Sequence, residues 1–180
     1  MLFLVLFAAG IGSGYLVLKS DIFHKDTSGV AVQNVEQISV AKPSDGITIY
    51  FPLSGALQIE QRKITINGTR ADMARMVLAE FLKGPSGATA PAFMSGVAIN
   101  GIFFGSDDIL YVDLSGIIKA NFKGDAYTEY MLIQALYNSI MKNVSGLRDV
   151  KIVIDGVETE TLGGHIRINR PLGETVSFIN

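Results

Sequence analysis

The chain has 180 residues, of which 15 are basic and 17 acidic, so its formal net charge is −2, and it contains no cysteine. The near-balanced charge, without a stripe rich in Lys and Arg, argues against nucleic acid as a partner. The lack of cysteine excludes disulfides, thiolate nucleophiles, cysteine-based zinc sites and lipidation at an N-terminal cysteine of this sequence.

The first predicted element is a membrane segment. Residues 1–18 carry no charged side chain, and the first basic residue is Lys19. As a helix, this segment would cover roughly 27 Å, close to the ~30 Å hydrocarbon core of a bilayer. We predict an uncleaved anchor or a signal segment, with small residues near Gly10 as a candidate cleavage site. Either places the rest outside the cytoplasm, and a buried core helix is the weaker alternative.

The chain then divides into three predicted regions. Residues 19–44 are polar and keep no helical period, which predicts a tether. Val30 and Val32 alternate briefly, so a short strand docked on the domain is the alternative. We expect the folded domain over residues 45–172 and a loose tail over 173–180.

Two strands and a helix are predicted at the start of the domain. Ile47–Phe51 is β-branched and aromatic, and residues 57–64 alternate apolar and polar side chains as a half-buried strand does. Thr69-Arg70-Ala71-Asp72 matches a capping box, which predicts a helix to about Lys83. Gly84-Pro85 should end that helix.

Periodicity predicts the remaining elements. These are strands over 97–104 and 109–114 joined by a hairpin turn at 105–108, a helix over 125–144, a strand over 150–154 closed by a turn at Asp155-Gly156, and a short strand over 165–168. In the long helix we expect Glu129, Gln134 and Lys142 to face away from the core.

The element order ββαββαβ indicates an α+β fold. We predict a two-layer sandwich in which two helices cover one face of a mostly antiparallel sheet. The expected core comprises Ile49, Phe51, Ile59, Val77, Phe81, Val112, Ile133, Leu136, Ile140, Val153 and Ile154.

Five short motifs in a fixed order give the domain a family resemblance. They are Ile47–Phe51, Glu80–Pro85, Tyr111–Ser115, Val153–Gly156 and Gly164-His165. Together they resemble the GerMN domain of sporulation and spore germination, in one copy over about residues 45–172. The resemblance implies a non-enzymatic, extracytoplasmic module of membrane-attached bacterial proteins. Its fold would be similar to the ring-building domains of sporulation channel assemblies, which favours self-association.

The residues themselves offer little chemistry. His24 lies in the tether, and His165 has no second histidine or serine motif beside it in the sequence. Ser115 lacks the leading glycine of a nucleophile elbow. Asp107, Asp108 and Asp113 are more typical of turns than of a metal site. We therefore predict no catalytic, metal or cofactor residues.

Three functions remain open from the sequence. The favoured one is a membrane-tethered module of the bacterial cell envelope that acts by binding envelope proteins or itself. A sensor for a small ligand or peptidoglycan fragment would need an aromatic-walled pocket, for which the candidates are Tyr50, Phe51, Phe103 and Phe104. A secreted hydrolase would need convergent titratable groups, which the sequence does not reveal.

Overall fold

The computed structural model describes residues 46–53, 55–65 and 67–177, all within one compact unit. The predicted membrane segment (1–18) and tether (19–44) lie outside the described residues. Within the described ranges, no helix combines the length and apolar character needed to cross a membrane. The architecture is mixed α+β, as the element pattern predicts.

The domain begins with an antiparallel hairpin. Strand β1 (Ile47–Leu53) pairs with β2 (Ala56–Arg62) over their full lengths, from Ile47 opposite Arg62 to Leu53 opposite Ala56. Pro52 lies within β1 rather than ending it. This position is compatible with a strand because Pro52 faces the edge away from β2.

Helix α1 (Arg70–Leu82) confirms the predicted capping signals. Thr69 Oγ1 accepts a hydrogen bond from Asp72 N at 3.2 Å, and Thr69 N donates to the Asp72 carboxylate at 2.8 Å. The helix ends at Leu82, and the chain turns away at Gly84, whose φ of +79° favours glycine. A Cβ there would lie 2.4 Å from Ala90 Cβ, so the close approach also requires glycine.

The second sheet has three strands in the order β3-β4-β5. Strand β3 (Ile99–Phe104) is antiparallel to β4 (Ile109–Leu114), and β5 (Asp149–Ile154) is parallel to β4. The chain passes from β4 to β5 through the short helix α2 (Ile117–Asn121) and the long helix α3 (Ala126–Asn143). This crossover returns the chain in the same direction, which makes the last pair parallel.

The expected single, mostly antiparallel sheet is therefore wrong. There are two sheets, because β1 pairs with β2 on one side and is covered by α3 on the other. Residues 165–168 form no strand, and one isolated bridge joins Thr161 to Arg167. Residues 173–177, interpreted from the sequence as tail, belong to helix α4 (Leu172–Ser177), which buries Leu172 and Val176.

One continuous apolar core lies between the helices and the strands. Helix α3 contacts β1, β5, α1 and α4, so it joins both sheets. Nine predicted core residues are buried, namely Ile49, Phe51, Val77, Phe81, Val112, Ile133, Leu136, Ile140 and Ile154. Val153 is only half-buried, and Ile59 is 57% exposed. The prediction for Ile59 is wrong because the register places it opposite Tyr50, on the outer face of the hairpin.

Candidate interaction surface

The outer edge of β1 is closed by side chains of α3. Asn143 Oδ1 accepts from Thr48 N at 2.9 Å, and Asn143 Nδ2 donates to Thr48 O at 2.7 Å. One helical turn earlier, Ser139 Oγ accepts from Tyr50 N at 2.9 Å. An amide and a hydroxyl thus supply the partners that a neighbouring strand would otherwise provide.

The third outward position on this edge is Pro52. Outward-facing residues recur every second position along a strand, so Pro52 follows Thr48 and Tyr50 on the same edge. A proline has no N–H to satisfy there. The edge of β1 therefore offers no free backbone donor at these three positions.

The outer edge of β2 differs from that of β1. The partners of Thr48, Tyr50 and Pro52 across the hairpin are Gln61, Ile59 and Leu57. In an antiparallel pair both members of such a position direct their N–H and C=O groups away from each other. Among the described residues, β1 is the one strand paired with β2, so this edge presents an unpaired row of backbone groups.

The side chains of β2 also face in unexpected directions. Its apolar residues lie on the outer face of the hairpin, where Ile59 is 57% exposed and Leu57 is partly exposed. Gln58, Glu60 and Arg62 share the face of buried Ile49 and Phe51 instead. We name the outward edge and apolar face of β2, carried by Leu57, Ile59 and Gln61, the β2 surface.

Arg62 explains why the polar face of β2 points inward. Its guanidinium donates to the α1 carbonyl of Glu80 at 2.7 Å, to the Glu80 carboxylate at 2.8 Å and to the carbonyl of Gly84 at 2.5 Å. It also lies 5.1 Å from the centre of the Phe51 ring, a cation–π contact. These contacts fasten β2 to the C-terminal end of α1, where a cation is electrostatically favoured.

The acid at the centre of this network is Glu80. Burial opposes ionisation of its carboxyl, but hydrogen bonds from Lys83 and Arg62 outweigh that effect, so its pKa lies below the ordinary value of 4.5. Glu60 completes the network by pairing with Arg62 at 3.2 Å and accepting from Ser86 N at 2.8 Å. The charges hold elements together and leave the β2 surface uncharged.

A second exposed apolar site lies on the outer face of the three-stranded sheet. Phe103 on β3 is 59% exposed, and its cross-strand neighbour is Tyr111 on β4. The ring of Phe103 covers Gly101, where a Cβ would come within 2.4 Å of it. Lys151 of β5 lies beyond Tyr111 and pairs with Glu158, so a charge borders this patch.

The structure places Asp113, Ser115, Asp107 and Asp108 in structural hydrogen bonds or ion pairs. Asp113 accepts from Gly156 N at 3.0 Å, and Ser115 Oγ accepts from Ala98 N at 3.0 Å. Asp107 pairs with Arg148 at 2.8 Å across the β3–β4 turn. Asp108 lies 3.7 Å from Arg70. Within the described ranges, no group of three or more acidic or histidine side chains could hold a metal ion.

The predicted turn at Asp155-Gly156 is confirmed. Ile154 and Val157 exchange both backbone hydrogen bonds, at 2.9 and 3.0 Å, and both turn residues have positive φ. Asp155 also accepts from Gly116 N at 3.1 Å, which joins the turn to the start of α2. The turn is thus fully explained by chain reversal and by this contact.

Of the aromatic residues considered for a sensor pocket, two are structural. Phe51 is buried and stacks on Phe81 with ring centres 5.9 Å apart, and Phe104 lies 4.6 Å beneath the Arg70 guanidinium. The other two, Tyr50 and Phe103, lie on different sheets. The four do not form one pocket wall.

Among the described residues, Glu129 is the most deeply buried acid, and the prediction that it faces away from the core is wrong. Glu129 is 0% exposed, and its carboxylate accepts from Leu162 N and Gly163 N at 2.8 Å and from His165 N at 2.9 Å. Glu129 lies four residues before Ile133 and seven before Leu136, so helical spacing places it on the buried stripe of α3, and only its charge favours the polar face. A second signal is the pair Gly163-Gly164, whose small size permits close approach of the loop.

His165 follows directly from this loop. Asp125 is the N-cap residue of α3. The pKa of Asp125 is lowered chiefly by the hydroxyl and N–H of Thr128, with a smaller contribution from His165. His165 also lines a cleft of about 280 Å³ together with Ile166, Arg167, Arg170, Glu174 and Thr175. A smaller hollow of about 150 Å³ lies between the β1–β2 turn and the start of α3.

Comparison with known proteins agrees with the observed fold. The family profile described as Germane, sporulation and spore germination, matches residues 48–160. A candidate lipoprotein from Clostridium perfringens has a similar structure, with a TM-score of 0.50 and 21% identity, over 74% of this chain and 91% of that one. No curated protein sequence matches.

A second similar structure contains the domain twice. The tandem GerMN domains of the sporulation protein GerM from Bacillus subtilis give a TM-score of 0.50 and 17% identity, over 72% of this chain. This chain covers 46% of that structure, about half of its length. At these identities the two structures establish a shared fold.

Proposed function

Because this chain belongs to the Germane family of sporulation and spore germination, we propose that it is a membrane-tethered, extracytoplasmic module of the bacterial cell envelope that binds proteins without catalysis. The apolar segment 1–18 supports the tether. The similarity to a candidate lipoprotein supports a position at a membrane. The observation that carries the binding role is the β2 surface.

The β2 surface combines two features that favour binding of a partner, namely an unpaired strand edge and exposed apolar side chains. An unpaired strand edge is a template for pairing with another strand. An exposed Ile59 beside a partly exposed Leu57 adds apolar area that a partner would remove from water. The matching edge of β1 is closed by α3, so pairing is directed to β2. The fitting partner is an extended protein segment that adds a strand.

A second copy of this chain is the first partner to test. Two antiparallel β2 strands pair about a two-fold axis, so the same surface serves both copies. Placing the axis near Ile59 sets Leu57 of one copy opposite Gln61 of the other. A membrane tether confines the copies to two dimensions and raises their effective concentration, so a weak edge contact suffices.

The absence of catalysis is supported by how the candidate groups are used. Asp113 and Ser115 accept backbone hydrogen bonds, and Glu129 is enclosed by three N–H donors. A general base needs a free acceptor within reach of a substrate proton. Replacing Asp113 or Ser115 should therefore change stability or association, whereas loss of turnover of an identified substrate would contradict the proposal.

Site-directed cross-linking tests the binding role. The chain has no cysteine, so a single Gln61→Cys variant labels the β2 surface alone. With the axis near Ile59, the two Gln61 positions lie roughly 14 Å apart along the paired strands. Treating native membranes with a bismaleimide of matching length should therefore give a dimer from full-length Gln61→Cys. Ser106→Cys, in the exposed β3–β4 turn, is the matched control and should stay monomeric. A cross-linked product with another envelope protein would identify that protein, rather than a second copy, as the partner. Monomers alone would refute binding through β2.

A topology reporter tests the placement separately. Nothing after residue 18 is apolar enough to bring the chain back across the membrane, so the domain should lie outside the cytoplasm. A reporter active only in the cytoplasm, fused after Asn180, should be silent. Activity of that reporter would contradict the extracytoplasmic assignment without affecting the β2 surface.

A further inference from the structure

The cleft between residues 165 and 175 carries an unusual set of side chains. About 280 Å³ of space is bordered by two arginines, a histidine, a threonine, one acid and one aliphatic residue, namely Arg167, Arg170, His165, Thr175, Glu174 and Ile166. Within the described part of the chain, neither arginine forms an ion pair with any acid. Two arginine side chains thus border one concave space.

The backbone around the cleft is held in place by the core. Glu129, itself fully buried, binds the N–H of His165, and Ile168 N donates to the carbonyl of Glu160 at 2.8 Å. Ile168 and Leu172 are 0% exposed on either side of Arg170. The arginines therefore project from an anchored segment, which lowers the ordering cost of binding a ligand.

Both ends of the segment are also fastened. Thr175 Oγ1 donates to the carbonyl of Arg167 at 3.1 Å, which joins the two sides of the cleft. At the start of α4, Gly173 N donates to Asp149 at 2.9 Å. Tyr130 Oη donates to the carbonyl of Val176 at 3.3 Å, which ties α4 to α3. The cleft is a formed feature of the domain.

We propose that this cleft binds the phosphate group of a phosphorylated polyol. A guanidinium presents paired donors that match phosphate oxygens, and a tetrahedral phosphate can engage two guanidinium groups from different directions. A carboxylate has two oxygens in one plane and would satisfy one arginine. Glu174 repels a bare anion but accepts hydrogen bonds from hydroxyl groups, so it favours a ligand that carries hydroxyls beside the phosphate.

A phosphate group beside hydroxyl groups occurs in soluble sugar or glycerol phosphates and in the headgroup of phosphatidylglycerol. The cleft and the β2 surface share no residue, so this inference stands apart from the proposed binding of proteins. The test uses three probes: sn-glycerol 3-phosphate, inorganic phosphate, and vesicles of phosphatidylglycerol compared with vesicles of phosphatidylcholine.

The experiment measures binding to the full-length protein in mild detergent by calorimetry, and to vesicles by flotation. We expect sn-glycerol 3-phosphate or phosphatidylglycerol to bind, and Arg167→Ala/Arg170→Ala to weaken that binding at least tenfold. The matched control Arg75→Ala/Lys142→Ala removes the same charge from exposed positions on α1 and α3 and should change it less than twofold. Binding of the first probe indicates a soluble ligand, and binding of phosphatidylglycerol alone indicates the lipid.

A variant expected to bind phosphate more tightly provides a second test, because a misfolded protein would not gain affinity. Glu174→Gln removes the negative charge and should tighten the binding of inorganic phosphate twofold or more. The proposal is overturned if neither phosphate ester binds, if the control weakens binding as much as the arginine variant does, or if Glu174→Gln leaves phosphate binding unchanged.

Discussion

The two strands of the N-terminal hairpin have the same length and opposite surroundings. On β1, the core-side face is buried, and the outer edge is hydrogen-bonded by Ser139 and Asn143. On β2, the apolar side chains face outward, and the outer edge has no strand beside it among the described residues. The closed edge of β1 stabilises the domain, whereas the open edge of β2 is available for the proposed binding. Stability and binding therefore depend on different edges of the hairpin.

The largest expected effect lies on the closed side of the hairpin. Phe81 of α1 stacks on Phe51 of β1 and is 0% exposed. Phe81→Ala should lower the free energy of unfolding by about 3–5 kcal/mol, because it removes buried area and leaves a cavity. Urea unfolding of the fragment from about residue 45 to 180, which we expect to fold alone, measures the effect. A loss below roughly 1 kcal/mol would contradict the packing of α1 on β1.

The second-largest expected effect concerns the side-chain hydrogen bonds that close the outer edge of β1. Asn143→Leu removes both partners of the Thr48 backbone, which is nearly buried, and should cost about 2–4 kcal/mol. Asn138→Leu makes the same change elsewhere on α3 and should cost less than about 0.5 kcal/mol. Equal unfolding free energies for the two variants would show that the edge of β1 does not need Asn143.

A smaller, pH-dependent effect tests how β2 is fastened. Glu80→Gln keeps an acceptor for Arg62 but loses the charge, so it should cost about 1–2 kcal/mol at neutral pH. The folded-state pKa of Glu80 is lowered, so its stabilising contribution is fully present above the ordinary value of 4.5 and is lost as the pH falls through the folded pKa. The difference between wild type and Glu80→Gln should shrink at low pH. A constant difference would contradict this role of the ionised carboxyl.

The smallest expected effect lies on the open side. Ile59→Ala should change the free energy of unfolding by less than about 0.5 kcal/mol, because the side chain already contacts water. Ile49→Ala, the same substitution at a fully buried position of β1, should cost about 2–5 kcal/mol. Similar losses for the two isoleucines would show that β2 is covered within its own chain.

The sequence predicts the local parts of this structure well and the pairings poorly. The capping box at Thr69, the stop at Gly84 and the turn at Asp155-Gly156 depend on neighbouring residues, and all three are confirmed. The parallel pairing of β5 and the division into two sheets depend on contacts between distant residues. Alternation in β2 correctly predicts a strand, but it cannot reveal which side of that strand meets the core.

The candidate site is the part that sequence reasoning missed. Ser139 and Asn143 are spaced four residues apart on α3, a signal that they share a helix face. Their role appears only when β1 is placed beside them. Glu129 has the spacing of a buried residue but the charge of a solvent-facing one, and its hydrogen-bond partners lie more than 30 residues away along the chain.

The central claim, that β2 is the binding strand, is tested most directly by one matched pair of charges. Ile59→Lys places a charge on the outer face and open edge, whereas Gln58→Lys places the same charge one residue away, on the opposite face. Association is measured by energy transfer between donor- and acceptor-labelled full-length chains in bilayers. We expect Ile59→Lys to weaken association roughly tenfold, about 1.4 kcal/mol, and Gln58→Lys to change it less than twofold. Equal association of the two variants and the wild type would contradict the claim.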